Sequence, residues 1–227
     1  MRYSVLPLPE PIFRLRLHEA VSLYVRAMDY DPSVVDSRVR AWALARHEPG
    51  WSAVAAIAHP DDVAAHVALA DPSFPLAGVA YCQTGTSTQW WHVQVRAGLA
   101  ARRAPLDAVT GALGDYVELA EIHVDPRHQG ARLGERLLVE LMRGRPEARV
   151  LLSTPEVAAE ANRAWRLYRR LGFTDVLRDF HFAGDSRPFA VLGAKLPLPG
   201  PDRADSLDDA AGTATARPSG KGDQNDR

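Results

Sequence analysis

The stretch from Tyr116 to Phe173 constrains the fold more than any other part of this sequence, because strand-like and helix-like hydrophobic patterns alternate along it. Tyr116 to Val124 has the two-residue period of a half-buried strand, and Ala131 to Arg143 has the three-and-four spacing of an amphipathic helix. The same order then repeats, with a strand at Arg149 to Ser153 and a helix at Glu160 to Leu171. Such an alternation favours a domain in which helices pack on a sheet.

The rest of the chain up to residue 198 supplies further helices and strands. Apolar positions three and four apart predict the helices His18 to Met28, Val34 to Ala45, Trp90 to Ala101 and Pro105 to Leu113. Apolar runs predict the strands Trp51 to Ala58, Leu76 to Tyr81, Phe173 to Phe182 and Phe189 to Leu196. Together these elements predict one α+β domain with a mixed sheet, residues 1–198.

Residues 199–227 differ in composition from the rest of the chain. Leu207 is their only large aliphatic residue, and they contain no aromatic residue. Such a segment cannot bury enough apolar surface to offset the entropy lost on ordering. We therefore expect a disordered C-terminal tail.

Composition excludes several classes of protein. The 227 residues hold 27 Lys and Arg against 28 Asp and Glu, and this balance predicts no nucleic-acid partner. No apolar run approaches the length of a membrane span, and the N-terminus lacks the order of a signal peptide. We therefore expect a cytoplasmic protein with no membrane partner. Because nearly all basic residues are arginine and alanine is abundant, we interpret the sequence as bacterial.

Disulfide and metal sites are not indicated either. Cys82 is the only cysteine, so an intrachain disulfide cannot form. Five histidines lack the paired spacing that is typical of metal ligands, namely His18, His47, His59, His66 and His181. We predict no metal site.

The turn that follows Val124 has the features of an anion site. A helix that begins there directs unpaired backbone N–H groups and the positive end of its dipole outward. Gly130 permits a positive φ, and Gly134 permits a close approach to the first helical turn. Arg127 and Arg132 could add charge-assisted bonds to a phosphate. Simple packing of helix on strand would also explain this pattern, so the turn alone identifies no ligand.

The run from Gln129 to Gly134 resembles the acyl-CoA loop of the GCN5-related N-acetyltransferase (GNAT) superfamily. The family pattern is Gln or Arg, two variable residues, Gly, one variable residue, then Gly or Ala. Gln129 and Gly134 match its ends, and Arg132 occupies the place of its usual central glycine. If that place needs a positive φ, arginine adopts it at an energetic cost. The resemblance implies that the cofactor-binding residues include Gln129, Gly130, Ala131, Arg132, Leu133 and Gly134.

A second segment, Glu160 to Phe173, resembles the family pattern of Asn, spacer, Ala, spacer, Leu-Tyr, spacer, Leu-Gly-Phe. The two matches imply the GNAT fold, a central mixed and mostly antiparallel sheet flanked by helices on both faces. They further imply an acyltransferase that moves an acetyl group from acetyl-CoA to a primary amine by direct attack in a ternary complex. The alternative is a non-catalytic acyl-CoA-binding or interaction module on the same fold.

The resemblance also implies roles for individual residues. Tyr168 corresponds to the general acid that protonates the departing thiolate, although its helical spacing also fits a buried core aromatic. Asn162 corresponds to a contact of the pantetheine arm, and its alternative role is a helix cap. The backbone groups of Ile122 and Val124 correspond to the partners of the pantetheine amides.

Three side chains on the strand Tyr116 to Val124 are candidate general bases, which the reaction needs because most amines are protonated at neutral pH. Glu118 occupies the place of the base in some family members, Glu121 competes with it, and His123 is chemically suited. Strict alternation puts Glu118 and Glu121 on opposite faces unless a β-bulge intervenes. Either glutamate could instead be a solvated or salt-bridged strand residue.

The acceptor is poorly specified by the sequence. Thr86 to Asp115 replaces a hairpin that is short in many relatives, and its helical character predicts an insertion beside the acceptor side of the cleft. Trp90 and Trp91 within it are interpreted as core residues. Neither the amine acceptor nor the oligomeric state follows from these features, with which a homodimer is compatible.

Overall fold

The computed structural model describes residues 1–199, which form one mixed sheet of seven strands with helices on both faces. The strands are β1 (Arg2–Pro7), β2 (Ser52–His59), β3 (Leu76–Thr84), β4 (Tyr116–Val124), β5 (Arg149–Pro155), β6 (Thr174–Phe180) and β7 (Phe189–Lys195). The helices are α1 (Glu10–Ala27), α2 (Val35–Ala45), α3 (Ala65–Ala70), α4 (Trp90–Ala101), α5 (Leu106–Leu113), α6 (Leu133–Met142) and α7 (Arg163–Arg170). Single-turn 3-10 helices occupy Pro32–Val34, Pro126–His128 and Ala158–Glu160.

The strands lie in the order β1-β2-β3-β4-β5-β7-β6, and β4 with β5 is the parallel pair among otherwise antiparallel neighbours. Helices α6 and α7 cover one face, where Leu137 and Trp165 are fully buried. The opposite face is covered by α1, α2 and α3 over β2 and β3, and by α4 and α5 over β5, β6 and β7. This architecture confirms the predicted fold.

Pairing between β4 and β5 is short. It runs from the pair Tyr116 and Arg149 to the pair Glu118 and Leu151, and it extends no further within residues 1–199. Beyond that point β4 is paired with β3 alone as far as Val124. One edge of β4 therefore keeps backbone groups that can bind an extended ligand.

A β-bulge interrupts β4 at Ala120. The consecutive β3 residues Tyr81 and Cys82 pair with Glu121 and Leu119, so Ala120 is the extra residue between them. An extra residue shifts the alternation of the side chains along the strand. The condition under which two of the candidate bases share a face is therefore met.

Most predicted elements are confirmed, and several of their boundaries are corrected. Helix α1 begins at Glu10 rather than His18, because Pro11 lies in its first turn, where the missing N–H costs nothing. Helix α6 begins at Leu133, because Arg132 before it is left-handed. The predicted helix from Glu160 is divided into a 3-10 turn and α7.

The C-terminal tail predicted for residues 199–227 lies outside the described residues except for Pro199. The core clusters draw on residues between Tyr3 and Leu198. No helix in the described part of the chain is long and apolar enough to span a membrane.

Candidate active site

A cavity of about 660 Å3 lies beside the part of β4 that has no β5 partner. It brings together the edge of β4, the loop before α6, one side of α7 along its length and the C-terminal end of α1. Its lining comprises Ala27, Met28, Ile122, His123, Val124, Gln129, Gly130, Arg132, Leu133, Gly134, Glu135, Asn162, Arg163, Ala164, Arg166, Leu167, Tyr168 and Arg170. All the predicted cofactor-binding residues except Ala131 are among them.

The loop from Gln129 to Gly134 is shaped by two left-handed residues. Gly130 has φ 97° and Arg132 has φ 51°, and the latter residue caps the N-terminus of α6. The position of the family's usual glycine therefore does need a positive φ, which a non-glycine residue adopts at a cost of roughly 1–2 kcal/mol. A Cβ on Gly134 would lie 3.2 Å from Cδ2 of Leu167, so this glycine allows the first turn of α6 to approach α7.

Asp125 anchors this loop to the rest of the domain. Its fully buried carboxylate accepts hydrogen bonds from Arg26 on α1 and from the backbone and side chain of Arg127. These bonds hold the pKa of Asp125 well below its usual range. The guanidinium of Arg127 is thus engaged, which argues against its predicted contact with phosphate.

Positive charge predominates along the cavity. Arg132, Arg163, Arg166 and Arg170 line it, and Glu135 is the acidic residue among the lining side chains. Nη2 of Arg170 donates to Oε2 of Glu135 over 2.7 Å, and this pair joins α7 to α6. The remaining Oε1 of Glu135 and Nε of Arg170 are buried and have no partner among the described residues. An unsatisfied buried donor beside other cations suits an anionic ligand.

Asn162 lies at the cavity and also caps α7. Its Oδ1 accepts a hydrogen bond from the backbone N–H of Trp165 over 2.9 Å. Asn162 therefore acts as the cap of α7, and the N–H groups of its side-chain amide can still donate to a ligand.

Tyr168 lies on the inner side of α7 and lines the cavity. Only 6% of the residue is exposed, and its ring packs 5.6 Å from that of Phe173. Burial and the negative charge of Glu121 raise the pKa of the Tyr168 hydroxyl well above its usual value. At neutral pH the hydroxyl is protonated and is able to donate.

Glu118 lies at the last residue pair between β4 and β5. Burial raises the pKa of its carboxyl to about 7, against a hydrogen bond from Gln83 that lowers it. Nε2 of Gln83, the register partner of Glu118 on β3, donates to its Oε2 over 3.1 Å. Glu118 is 7% exposed and, like Glu121, does not line the cavity.

Glu121 forms a close pair with His123. Oε2 of Glu121 lies 2.6 Å from Nε2 of His123. The imidazole packs edge to face with Tyr24, at 4.8 Å between ring centroids, and parallel to Trp42 at 6.3 Å. The sequence carried no signal for these two aromatic partners, because they come from α1 and α2, far along the chain.

A larger cavity of about 910 Å3 lies where β5 starts and β7 ends, and it shares Arg166 and Arg170 with the first cavity. It contains neither Tyr168 nor any residue of the loop before α6, and we do not assign it to the reaction. Within residues 1–199, no three His, Cys, Asp or Glu side chains come together as a group that could hold a metal ion.

Known proteins match most of the chain. A family model described as an acetyltransferase (GNAT) domain matches residues 91–175. The chain is also 45% identical over 206 residues to a GCN5-like protein acetyltransferase of Mycobacterium tuberculosis. That match covers 87% of this chain and 100% of the relative.

Solved structures share the fold at low identity. A GNAT-family protein from Desulfovibrio desulfuricans gives a TM-score of 0.54 at 17% identity, covering 86% of this chain and 99% of its own. The ribosomal-protein-S18-alanine N-acetyltransferase of Escherichia coli gives 0.51 at 17%, covering 88% and 98%. A Salmonella typhimurium structure with its cofactor acetyl-CoA gives 0.50 at 17%, covering 86% and 94%.

Proposed function

Since this chain belongs to the GNAT superfamily and is an acetyl-CoA-dependent N-acetyltransferase, we propose that it acetylates a primary amine of a protein. The amine attacks the thioester directly in a ternary complex. The protein acceptor is supported by the name of the mycobacterial relative, all of which this chain matches at 45% identity. Family membership favours catalysis over a non-catalytic acyl-CoA-binding module.

One observation carries the proposal. The cavity places the loop Gln129 to Gly134, the unpaired edge of β4 and the buried hydroxyl of Tyr168 around one space. The N-terminus of α6 and the surrounding arginines suit a pyrophosphate. The backbone of Ile122 and Val124 suits the pantetheine amides, as does the side-chain amide of Asn162. When bound, acetyl-CoA supplies the activated acetyl group.

Two kinds of proton transfer fall to the protein. Tyr168 donates its hydroxyl proton to the sulfur that leaves, because its high pKa keeps it protonated at neutral pH. The proton of the acceptor ammonium moves toward the face of β4 that carries Glu118 and Glu121. The negative charge of Glu121 raises the pKa of Glu118 beyond the effect of burial, so Glu118 attracts a proton. A cytoplasmic location and a homodimer remain predictions.

A thermal-shift measurement tests the cofactor site. Acetyl-CoA should raise the melting temperature by mass action, and pantetheine without phosphate should raise it much less. Equal shifts with both ligands would contradict the assignment of the loop.

Thiol release across three acceptors tests the reaction. We expect turnover with a peptide that has a free α-amine or a free lysine, and little turnover with a small polyamine such as spermidine. Turnover with spermidine alone would overturn the protein acceptor, and no turnover with any amine would overturn the transferase reaction.

A further inference from the structure

We propose that His123 is the catalytic residue that takes the proton from the acceptor ammonium and that Glu121 is its positioning residue. This inference rests on the proposed function and names the group that performs one of its two proton transfers.

Position in the cavity distinguishes His123 from the two carboxylates. His123 lines the cavity together with Tyr168, whereas neither Glu118 nor Glu121 does. A general base must come within hydrogen-bond reach of the proton that it removes, so its location is decisive before its basicity. His123 is the one of the three candidate bases that lies at the cavity, and both carboxylates lie outside its lining.

The contact with Glu121 fixes which ring nitrogen is the base. Oε2 of Glu121 lies 2.6 Å from Nε2 of His123, and an ionised carboxylate can only accept. The neutral imidazole therefore carries its hydrogen on Nε2, and Nδ1 keeps the lone pair. An orienting carboxylate also stabilises the imidazolium that forms when Nδ1 is protonated.

Aromatic packing holds the ring in place. Tyr24 packs edge to face at a centroid distance of 4.8 Å, and Trp42 lies nearly parallel to the ring, with an interplanar angle of 21°. Trp42 is 2% exposed, and the His123 side chain is 10% exposed. A ring held by two buried aromatics and a carboxylate has little freedom to rotate, so its orientation is set before the acceptor arrives.

The helices and strands that pack around His123 and Glu121 carry other titratable and charged groups. From α1 Tyr24 faces the ring, and from α2 the guanidinium of Arg38 lies 5.8 Å from the centroid of Tyr24. Tyr81 on β3, Tyr168 on α7 and Glu118 on β4 each interact electrostatically with Glu121. The tyrosines are neutral at physiological pH, so the groups whose charge bears on His123 are Arg38, Glu121 and the partly ionised Glu118, whose pKa is about 7.

The proposed step balances in protons and electrons. The N–H bond of the acceptor ammonium breaks, its electron pair stays on nitrogen, and the proton joins Nδ1 of His123. The freed amine attacks the thioester carbon, and the sulfur leaves with the proton of Tyr168. The nitrogen of the tetrahedral intermediate gives its second proton to the tyrosinate as the C–S bond breaks, which restores the Tyr168 hydroxyl. The imidazolium then loses its proton to water.

Kinetics as a function of pH test the assignment in the full-length protein. With acetyl-CoA and a peptide amine, His123→Gln should lower kcat by about 10²- to 10⁴-fold and abolish the acidic limb of the profile. Its KM for acetyl-CoA should stay within about twofold, because the imidazole acts on the acceptor. Glu121→Gln should lower kcat but keep the acidic limb, since His123 is still present. His66→Gln, at an exposed position on α3, is the matched control and should leave the whole profile unchanged.

Two kinetic outcomes would overturn the proposal. One is full kcat in His123→Gln. The other is loss of the acidic limb in Glu118→Gln with the limb intact in His123→Gln, which would make Glu118 the base.

A second measurement needs no turnover and so separates this proposal from the proposed function. Long-range 15N–1H NMR spectra of the wild-type protein, recorded where the ring is neutral, report which nitrogen of His123 carries the hydrogen. We expect the Nε2–H form in the wild type and a mixture of both forms in Glu121→Gln. A wild-type ring with its hydrogen on Nδ1 would overturn the role of Glu121, whatever the activity.

Discussion

Tyr81 on β3 is the register partner of Glu121 on β4, while the next β3 residue, Cys82, is the partner of Leu119. Strict alternation would place Glu118 and Glu121 on opposite faces of the sheet. With the extra residue between them, both carboxylates lie on the face covered by α1 and α2. Burial raises the pKa of Tyr81 on this face, and each carboxylate raises it further. The bulge therefore places both carboxylates of β4, those of Glu118 and Glu121, on the same face of the sheet.

Removal of the Tyr168 hydroxyl should separate chemistry from folding. We expect Tyr168→Phe to lower kcat about 10- to 1,000-fold, because general acid catalysis contributes on that order. The ring and its packing remain, so the melting temperature and the Kd for acetyl-CoA should hold. Tyr116→Phe is the control, because that buried hydroxyl bonds to His92 away from the cavity. Full kcat in Tyr168→Phe would assign the residue to the core alone.

Glu118 should make the domain less stable as the pH rises. Its pKa is about 7 in the folded chain against an ordinary glutamate pKa of 4.5, so between those values the native state binds more protons than the unfolded state. The free energy of unfolding therefore falls as the pH rises through this window.

Glu118→Gln removes this dependence. We expect the variant to be more stable than the wild type at pH 8, by at most about 3 kcal/mol, and to lose this advantage at pH 5. Urea unfolding at both pH values measures the difference, with Glu140→Gln on α6 as the control. A gain at pH 5 that exceeded the gain at pH 8 would contradict the direction of the pKa shift.

Because Arg132 has a left-handed backbone conformation, we expect the domain to tolerate glycine at this position. Glycine inside a helix costs about 1 kcal/mol, whereas at φ 51° it relieves the strain that arginine bears. Arg132→Gly should therefore destabilise the domain less than Arg40→Gly, which lies at an exposed position in α2. If Arg132 also contacts phosphate, the Kd for acetyl-CoA should rise in the first variant only. Equal destabilisation by the two substitutions would argue against the strain.

The segment after residue 199 is expected to be dispensable. The three core clusters contain no residue beyond Leu198 among those described, and the following sequence has almost no apolar side chains. Deletion of residues 200–227 should change the melting temperature by no more than about 1 °C and kcat/KM by less than about twofold. A selective rise in KM for the acceptor would instead show that the segment contributes to the cleft.

Local patterns were sufficient for most of the sheet and for the turn before α6, because both depend on residues that are close in sequence. They did not predict α3, a helix of only six residues. Arg16 on α1 explains its stability, since this buried side chain donates to the carbonyls of Leu69 and Asp71 at the end of α3. A cap supplied from so far along the chain leaves no mark in the local pattern. The sequence did not predict edge strand β1 for a related reason. Its six residues, which end in Pro7, are too few to show a clear alternation of apolar and polar side chains.

The candidate site was predictable in residue type but not in arrangement. Glu118, Glu121 and His123 were evident as candidates, yet their grouping depends on a bulge that no local rule locates. Trp91 is buried as predicted, whereas Trp90 is 56% exposed because α4 turns it outward against Phe182. Side-chain contacts between distant elements decided each of these outcomes.

The Arg170–Glu135 pair should couple the stability of the domain to its affinity for acetyl-CoA. Glu135 is 3% exposed and lies in the first turn of α6, where an unpaired carboxylate would repel a pyrophosphate. Arg170→Ala should therefore destabilise the domain by about 2 kcal/mol, because a buried charge loses its partner, and should raise the Kd for acetyl-CoA about 10- to 100-fold.

Adding Glu135→Gln to this variant removes the carboxylate charge that Arg170→Ala leaves unpaired. The double variant should therefore recover most of the lost stability and part of the affinity for acetyl-CoA. Arg143→Ala, which breaks the pair between the exposed Arg143 and the half-buried Glu140, is the control and should cost less than about 1 kcal/mol. Chemical unfolding and calorimetric titration of the wild type, both single variants, the double variant and the control measure both quantities. Strictly additive effects of the two substitutions would show that the pair carries no coupling.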